Sequence, residues 1–294
     1  MDSDFSTLRR YPELAGKTCL ICVGGTKCAT SWLHDHLSRL PGVAASPLKE
    51  LHFFNRRFAR NALSDMDLLA VRRLGLYLSQ GDDPVATLRD TAVVRAAVDR
   101  VQMIYDDDAY FGHFARISGP DTRVLCDTTP AYSAMGAEGF AWMRAFCEAQ
   151  GLRVKVLFVM RDPVERLWSH LRHMQQQTLI EDAAAAWPRA LETAPVMARG
   201  DYCATVTALD TCFDPQDRLY LFTEALTDPE TLRRLCSFVD VPYIAADTAT
   251  RLNRTEITTD LPAEARAAFL RQLAPQYAFC QARFGAEVPG SWQG

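Results

Sequence analysis

The chain has 294 residues, 48% of them hydrophobic and 23% charged, with a formal net charge of −4. That length suits one large α/β domain, so residues 1–294 are read as a single domain, and the composition is that of a soluble globular protein. The acidic balance excludes the global basic field expected of a nucleic-acid partner, so any anion site must be built locally. No apolar run approaches the ~20 residues a membrane helix needs. The acidic opening MDSD, followed by one short apolar stretch, gives no sign of a signal peptide. Nine cysteines are scattered along the chain. The one close pair, Cys19 and Cys22, lies in a strand-like run where residues three apart face opposite ways, so a metal or redox pair is not expected there. Reduced thiols in a cytoplasmic compartment are the simplest reading.

In chain order, residues 17–23 (KTCLICV) read as a buried strand and residues 24–27 (GGTK) as a turn. A helix follows over 30–40 and stops at Pro41-Gly42. Residues 43–45 read as a short second strand. Residues 55–120 are charged and helix-rich with no convincing strand; the aspartates at 106–108 read as a solvated turn or cap. Strand-like runs return at 123–126 (RVLC), 154–160 (VKVLFVM) and 218–222 (RLYLF). Helical patterns occupy 136–150, 163–178, 229–239 and 262–284. The alternation predicts an α/β fold with a central parallel sheet flanked by helices and a helical insertion at about 55–120.

The most informative stretch is VGGTKCATSWL, residues 23–33. Glycines let the backbone curl so that successive N–H groups converge on an anion, and a helix N-terminus adds unpaired N–H groups and partial positive charge. Lys27 supplies a full charge, and the hydroxyls of Thr30 and Ser31 either cap the helix or donate to phosphate oxygens. The segment is neither GxxxxGK[ST] nor GxGxxG. Further on come Lys49-Glu50-Leu51-His52-Phe53-Phe54, then Asp127-Thr128-Thr129-Pro130-Ala131-Tyr132, then Arg161-Asp162-Pro163-Val164-Glu165-Arg166-Leu167-Trp168-Ser169, and finally Asn253-Arg254. Arginine suits bidentate phosphate contact, and Ser169 follows Arg161 by about two helical turns.

The order and spacing of these segments resemble the sulfotransferases that use 3′-phosphoadenosine-5′-phosphosulfate (PAPS). The similarity is closest to the branch containing glycan (heparan-type) enzymes and many bacterial relatives. It spans about residues 17–285, with 55–120 matching least, where acceptor selection is expected. The resemblance implies a P-loop-nucleotide-kinase-like fold and transfer of a sulfuryl group from PAPS to an acceptor hydroxyl or amine, leaving PAP. It assigns the 5′-phosphosulfate loop to Gly25, Thr26, Lys27, Cys28, Ala29, Thr30, Ser31 and Trp32, with Lys27 at the bridging oxygen. Arg161 and Ser169 would hold the 3′-phosphate. Glu50 stands where the glycan branch has its base, and His52 is the alternative, because histidine is the commonest general base. The apolar His-Phe-Phe cluster is expected to bury Glu50 partly and raise its pKa.

Asn253 and Arg254 either cover the nucleotide or cap a loop. Pro130 and Tyr132 are expected to shape the acceptor pocket, and His170 and His173 to lie on the helix surface or pocket edge. Three departures from the family pattern stand out. Ala29 replaces a usual glycine, which is mild if that residue is helical. Thr128 stands where some glycan enzymes have a lysine. The cysteine-linked hairpin of those enzymes is absent. No ligand cluster for a metal appears, so none is expected. A small molecule, lipid or glycan remains open as acceptor, and the rival readings are a P-loop-type kinase, with Asp127 its one candidate for Mg²⁺, or a non-catalytic nucleotide-binding module.

Overall fold

The computed structural model describes residues 5–247 and 257–292. Five parallel strands form one sheet in the order β2-β3-β1-β4-β5. They are β1 (Thr18–Gly24), β2 (Val43–Ala45), β3 (Val124–Thr128), β4 (Arg153–Met160) and β5 (Arg218–Phe222). Parallel strands covered on both faces read as continuous apolar runs, which is why each lay near an expected position. β3 departs most: it continues through Asp127 and Thr128 because their backbones pair with Ile21 and Cys22 of β1.

Side chains alternate across the sheet. Cys19, Ile21 and Val23 join an aromatic core on one face, whereas Leu20 and Cys22 pack on the other. The close cysteine pair is therefore split between faces, and all nine cysteines are free thiols. The second face is covered by α1 (Thr30–Ser38) and, after β5, by α11 (Pro229–Val239).

Between β2 and β3 the helical insertion supplies α2 (Met66–Leu78), α3 (Pro84–Asp90), α4 (Ala92–Gln102) and α5 (Asp108–Ile117). α5 joins α6 (Gly136–Glu148) in the aromatic core, where Phe53, Phe54, Tyr110 and Phe146 are fully buried. Each such ring contributes about 1.5–3 kcal/mol by leaving water. Of the aspartates at 106–108, Asp106 acts locally, accepting from the N–H of Asp108 at 3.0 Å. Asp107 pairs with Arg56 at 2.7 Å and Asp108 accepts from the N–H of Arg9 at 2.9 Å, so the run ties distant segments together. A third core joins α7 (Pro163–Gln176), α8 (Ala183–Glu192), α9 (Ala194–Ala198) and α12 (Ala263–Phe284).

α8, α9 and α10 (Tyr202–Cys212) were not foreseen in the sequence. Pro188 lies inside α8 and Pro195 opens α9, so both read as breakers. The overlooked signals were the caps. Asp182 accepts from the N–H of Ala184, and Asp201 from that of Ala204 at 2.9 Å. Asp201 also accepts from Gln276 Nε2 at 3.1 Å, tying α10 to α12. Asp201→Ala should therefore lower stability by about 1 kcal/mol in chemical denaturation. An unchanged denaturation midpoint would show that the cap carries none of the stability of α10.

Candidate functional site

Parallel strands place every strand-to-helix turn at one edge of the sheet, and ligands of such folds bind outside those carboxyl ends. Here the turn after β1 carries Lys27, the segment after β2 carries Lys49 and Glu50, β3 ends in Thr128, and β4 is followed by Arg161. Segments far apart in the chain thus converge. The Arg161 guanidinium reaches the carbonyl of Lys27 through Nη1 at 3.4 Å, linking the two expected phosphate sites.

The turn is closed by its own backbone. Gly25 donates to Val159 O at 2.7 Å, and Cys28 donates to Gly25 O at 3.2 Å. A side chain on Gly25 would sit 3.0 Å from Cys28 Sγ and 3.1 Å from Val159 O, so a larger residue would push the loop away from β4 by a few tenths of an ångström. Lys27 and Ala29 both take left-handed backbone, with φ of 67° and 53°. Ala29 is thus not helical, as a mild Gly-to-Ala change would require. It is the N-cap of α1 in a conformation that costs a residue with a Cβ roughly 1–2 kcal/mol. No side chain caps α1, which leaves the first-turn N–H groups of Thr30 and Ser31 without a side-chain acceptor there. Thr30 is buried and Ser31 half-buried. Trp32 stacks on His36 and donates from Nε1 to Asp247 O at 3.2 Å, at the rim of the loop.

Burial, reinforced by Lys49, Arg161 and Arg172 and opposed by Glu50, brings the Lys27 pKa down to about 8. A half-buried lysine beside other cations is a group that a bound anion would favour.

Glu50 and His52 are also left-handed, with φ of 66° and 54°. Two such residues in three positions are strained, and strain of this kind collects at functional sites. The neighbouring chain holds them. Glu50 N–H donates to Thr128 O at 2.9 Å, and Phe53 N–H donates to Tyr132 Oη at 3.1 Å. Tyr132 in turn donates to Asp127 Oδ2 at 2.9 Å, while Thr129 donates to Oδ1 at 2.7 Å and Tyr110 to Oδ2 at 3.3 Å. Asp127 is completely buried, and that burial raises its pKa despite these three hydroxyl donors. Tyr132 is as deeply buried, so it braces the Glu50 segment instead of lining an acceptor pocket.

Three nitrogens surround the carboxylate of Glu50: Lys49 Nζ at 2.9 Å, His52 Nε2 at 3.5 Å and Arg73 Nη2 at 3.6 Å. Burial alone would raise its pKa, but Lys49, His52 and Arg73 together outweigh it and hold the group well below the usual carboxylate range. This reverses the expectation from the His-Phe-Phe cluster, whose phenyl rings turn into the aromatic core. His52 is buried, with Nδ1 3.3 Å from Asn55 Oδ1.

α7 starts directly after Arg161. Asp162 caps it by accepting from Glu165 N–H at 2.9 Å, and Pro163 takes the first helical position. Ser169 is buried on this helix, and Arg161 also lies 3.9 Å from Glu165. His170 is not at the surface, as expected, but 3% exposed with Nδ1 unpartnered. His173 is half-buried and, through burial and then Lys27, has a lowered pKa. Asn253 and Arg254 lie outside the described residues.

Sequence reasoning missed Arg73, Arg172 and Arg199. Arg172 follows Ser169 by three positions, a face signal that was legible. Arg73 belongs to the insertion and Arg199 to the end of α9, and nothing in their local sequence points to the site. Burial brings the Arg199 pKa down to about 10 despite the opposing charge of Glu50. Thr128, in the position of the absent lysine, has its hydroxyl 3.2 Å from His34 Nδ1. Burial brings the His34 pKa down to about 4, so that ring is neutral at pH 7. Among the described residues, no group of three or more His, Cys, Asp or Glu side chains is placed to hold a metal ion, and no helix is long and apolar enough to cross a membrane.

No family model and no curated protein matches the chain. Solved structures do. A sulfotransferase from Alicyclobacillus acidocaldarius is 19% identical, with a TM-score of 0.66 over 94% of this chain and 98% of its own. The sulfotransferase domain of the Synechococcus PCC 7002 olefin synthase is 16% identical, with a TM-score of 0.48 over 95% and 98%. The sulfotransferase domain from the curacin biosynthetic pathway is 14% identical, with a TM-score of 0.43 over 90% and 99%. At such identity the first of these likenesses speaks to architecture. The chain has the sulfotransferase fold, a five-stranded parallel sheet of P-loop type flanked by helices.

Proposed function

We propose that the protein is a PAPS-dependent sulfotransferase acting on a hydroxyl or amine of a small-molecule, lipid or glycan acceptor in the cytoplasm. The observation that supports this reading most is the contact between Arg161 and the Lys27 loop, which brings together at the carboxyl edge of a sulfotransferase-type sheet the two segments expected to hold phosphates. In-line transfer needs positioning and charge stabilisation more than covalent help from the protein. Glu50 takes the acceptor proton as the acceptor oxygen or nitrogen bonds to sulfur. The bond from sulfur to the bridging oxygen breaks, and PAP leaves with that oxygen's charge beside Lys27. A kinase reading is weaker, because Asp127 is fully buried and engaged by three hydroxyls instead of open to Mg²⁺.

PAP should raise the melting temperature, reflecting about 2.7 kcal/mol at a hundredfold excess over its dissociation constant, and ATP with Mg²⁺ should do much less. Arg161→Ala should lose roughly 1.5–3 kcal/mol of PAP binding and its preference over adenosine 5′-phosphate. Equal shifts from PAP and ATP, or an intact preference in the variant, would contradict the two-site reading.

Lys27 sets the alkaline side of donor binding. With its pKa at about 8, the ammonium is lost as pH rises through that value. PAP affinity by calorimetry should therefore fall above pH 8, approaching tenfold per pH unit for one proton. Lys27→Arg, which stays charged, should flatten that limb. Constant wild-type affinity up to pH 9.5 would remove Lys27 from the phosphate site.

Glu50→Gln should reduce turnover by about 10²–10⁴-fold and leave PAP affinity nearly unchanged. Because the carboxyl pKa is depressed, Glu50 stays ionised as pH falls until below the ordinary carboxylate range, so its acid limb lies there and not near neutrality. An acid limb at pH 6–7 that vanishes in His52→Ala, with Glu50→Gln near native, would move the base to His52.

A further inference from the structure

Arg166 is among the largest fully buried side chains, at 1% exposure. None of its three guanidinium nitrogens has a hydrogen-bond partner. Nor is a carboxylate paired with it among the described residues. Two buried neighbours, Cys28 Sγ and Tyr202 Oη, lie 3.8 Å from each other, and both feel its charge. Both are neutral at pH 7, since burial pushes the Cys28 thiol up to about 11 and raises Tyr202 as well. The charge that bears on Arg166 itself is another cation, Arg161, and the carboxylates of this region act on its neighbours instead, Glu224 on Cys28 and Glu50 on Arg199. The chain even makes room for the guanidinium. A Cβ on Gly200 would run into Nη2, Cζ and Nε of Arg166, so any larger residue there would have to displace the guanidinium.

Arginine does not lose its proton in proteins, and a structural buried arginine is normally paired. An apolar side chain would fill the same volume without the cost of an uncompensated charge. What distinguishes arginine here is its field. Cys28 belongs to the turn proposed above for the donor, so the charge of Arg166 bears on that turn from the buried side, where it would attract a donor that carries several negative charges.

We infer that Arg166 is a positioning residue of the donor site: a buried, unpaired charge that strengthens anion capture by the Gly25–Ser31 loop and destabilises the empty protein. The inference deepens the donor reading above and rests on it. Charge that is costly without ligand and favourable with it is a way of coupling occupancy to stability.

The test uses Arg166→Met, which keeps length and apolar volume, and Arg166→Lys, which keeps charge. Each is measured for melting temperature without ligand and for binding of PAP and of inorganic pyrophosphate. Arg166→Met should melt a few degrees higher than wild type when empty and bind both probes about tenfold more weakly, with a shallower dependence on salt. A Met variant that melts lower but still folds, or that binds the probes as tightly as wild type, overturns the inference. Where the Met variant does not fold, Arg166→Lys decides: affinity within about threefold of wild type supports a role for charge, and a larger loss overturns it. Wild type that ignores PAP but responds to pyrophosphate, with that response weakened in Arg166→Met, contradicts the nucleotide reading and keeps the role of Arg166. No response of wild type to either probe overturns both.

Discussion

Positive charge crowded against the carboxyl edge of a parallel sheet is the constraint on which the site depends. Lys27, Lys49, Arg73, Arg161, Arg166, Arg172 and Arg199 converge on a region whose central carboxylate is Glu50, in a chain whose net charge is −4. Cations taken out of water lose hydration first and then repel one another, and the pKa values of Lys27 and Arg199 are depressed by burial with a smaller contribution from neighbouring cations. The sheet makes the convergence geometrically unavoidable, because parallel pairing of β1, β3 and β4 aligns their exits. An anion of several charges is the ligand that such an edge favours.

Rigid support keeps the cluster in place. The buried Asp127 draws Tyr132 toward it, Tyr132 receives the N–H of Phe53, and that bond anchors the left-handed turn through Glu50 and His52. The same logic holds at the first loop, where Gly25 packs on β4 and Ala29 accepts a left-handed cap. Both segments hold unfavourable backbone because their neighbours over-determine it, which is the arrangement expected where function needs preorganisation.

Much of this was legible beforehand because apolar runs, turn residues and local charge carry their own physics. The buried strands announced themselves by continuous hydrophobicity, and the turn after β1 by Gly-Gly-Thr-Lys ahead of a helix. What escaped was non-local. The lowering on Glu50 comes first from Lys49 and His52, which the left-handed turn folds back onto the carboxylate, and then from Arg73, which arrives from the insertion and which no pattern around residue 50 contains. The αL state of Ala29 is imposed by the loop's packing, against its residue preference. Tyr132 read as pocket lining because its hydroxyl partner, Asp127, was visible only as a possible metal ligand. Pro188 hid α8, and α10 was passed over without such a breaker, although the aspartate caps of both stood in plain view.

The central claim is that this cationic edge is a two-phosphate site. A crystal structure of the protein soaked with PAP tests it most directly. The account predicts density for one nucleotide, with its 5′-phosphate against Lys27 and the first turn of α1 and its 3′-phosphate against Arg161 and Ser169. PAP seated elsewhere, or held in the reverse orientation with the 3′-phosphate at Lys27, would contradict it.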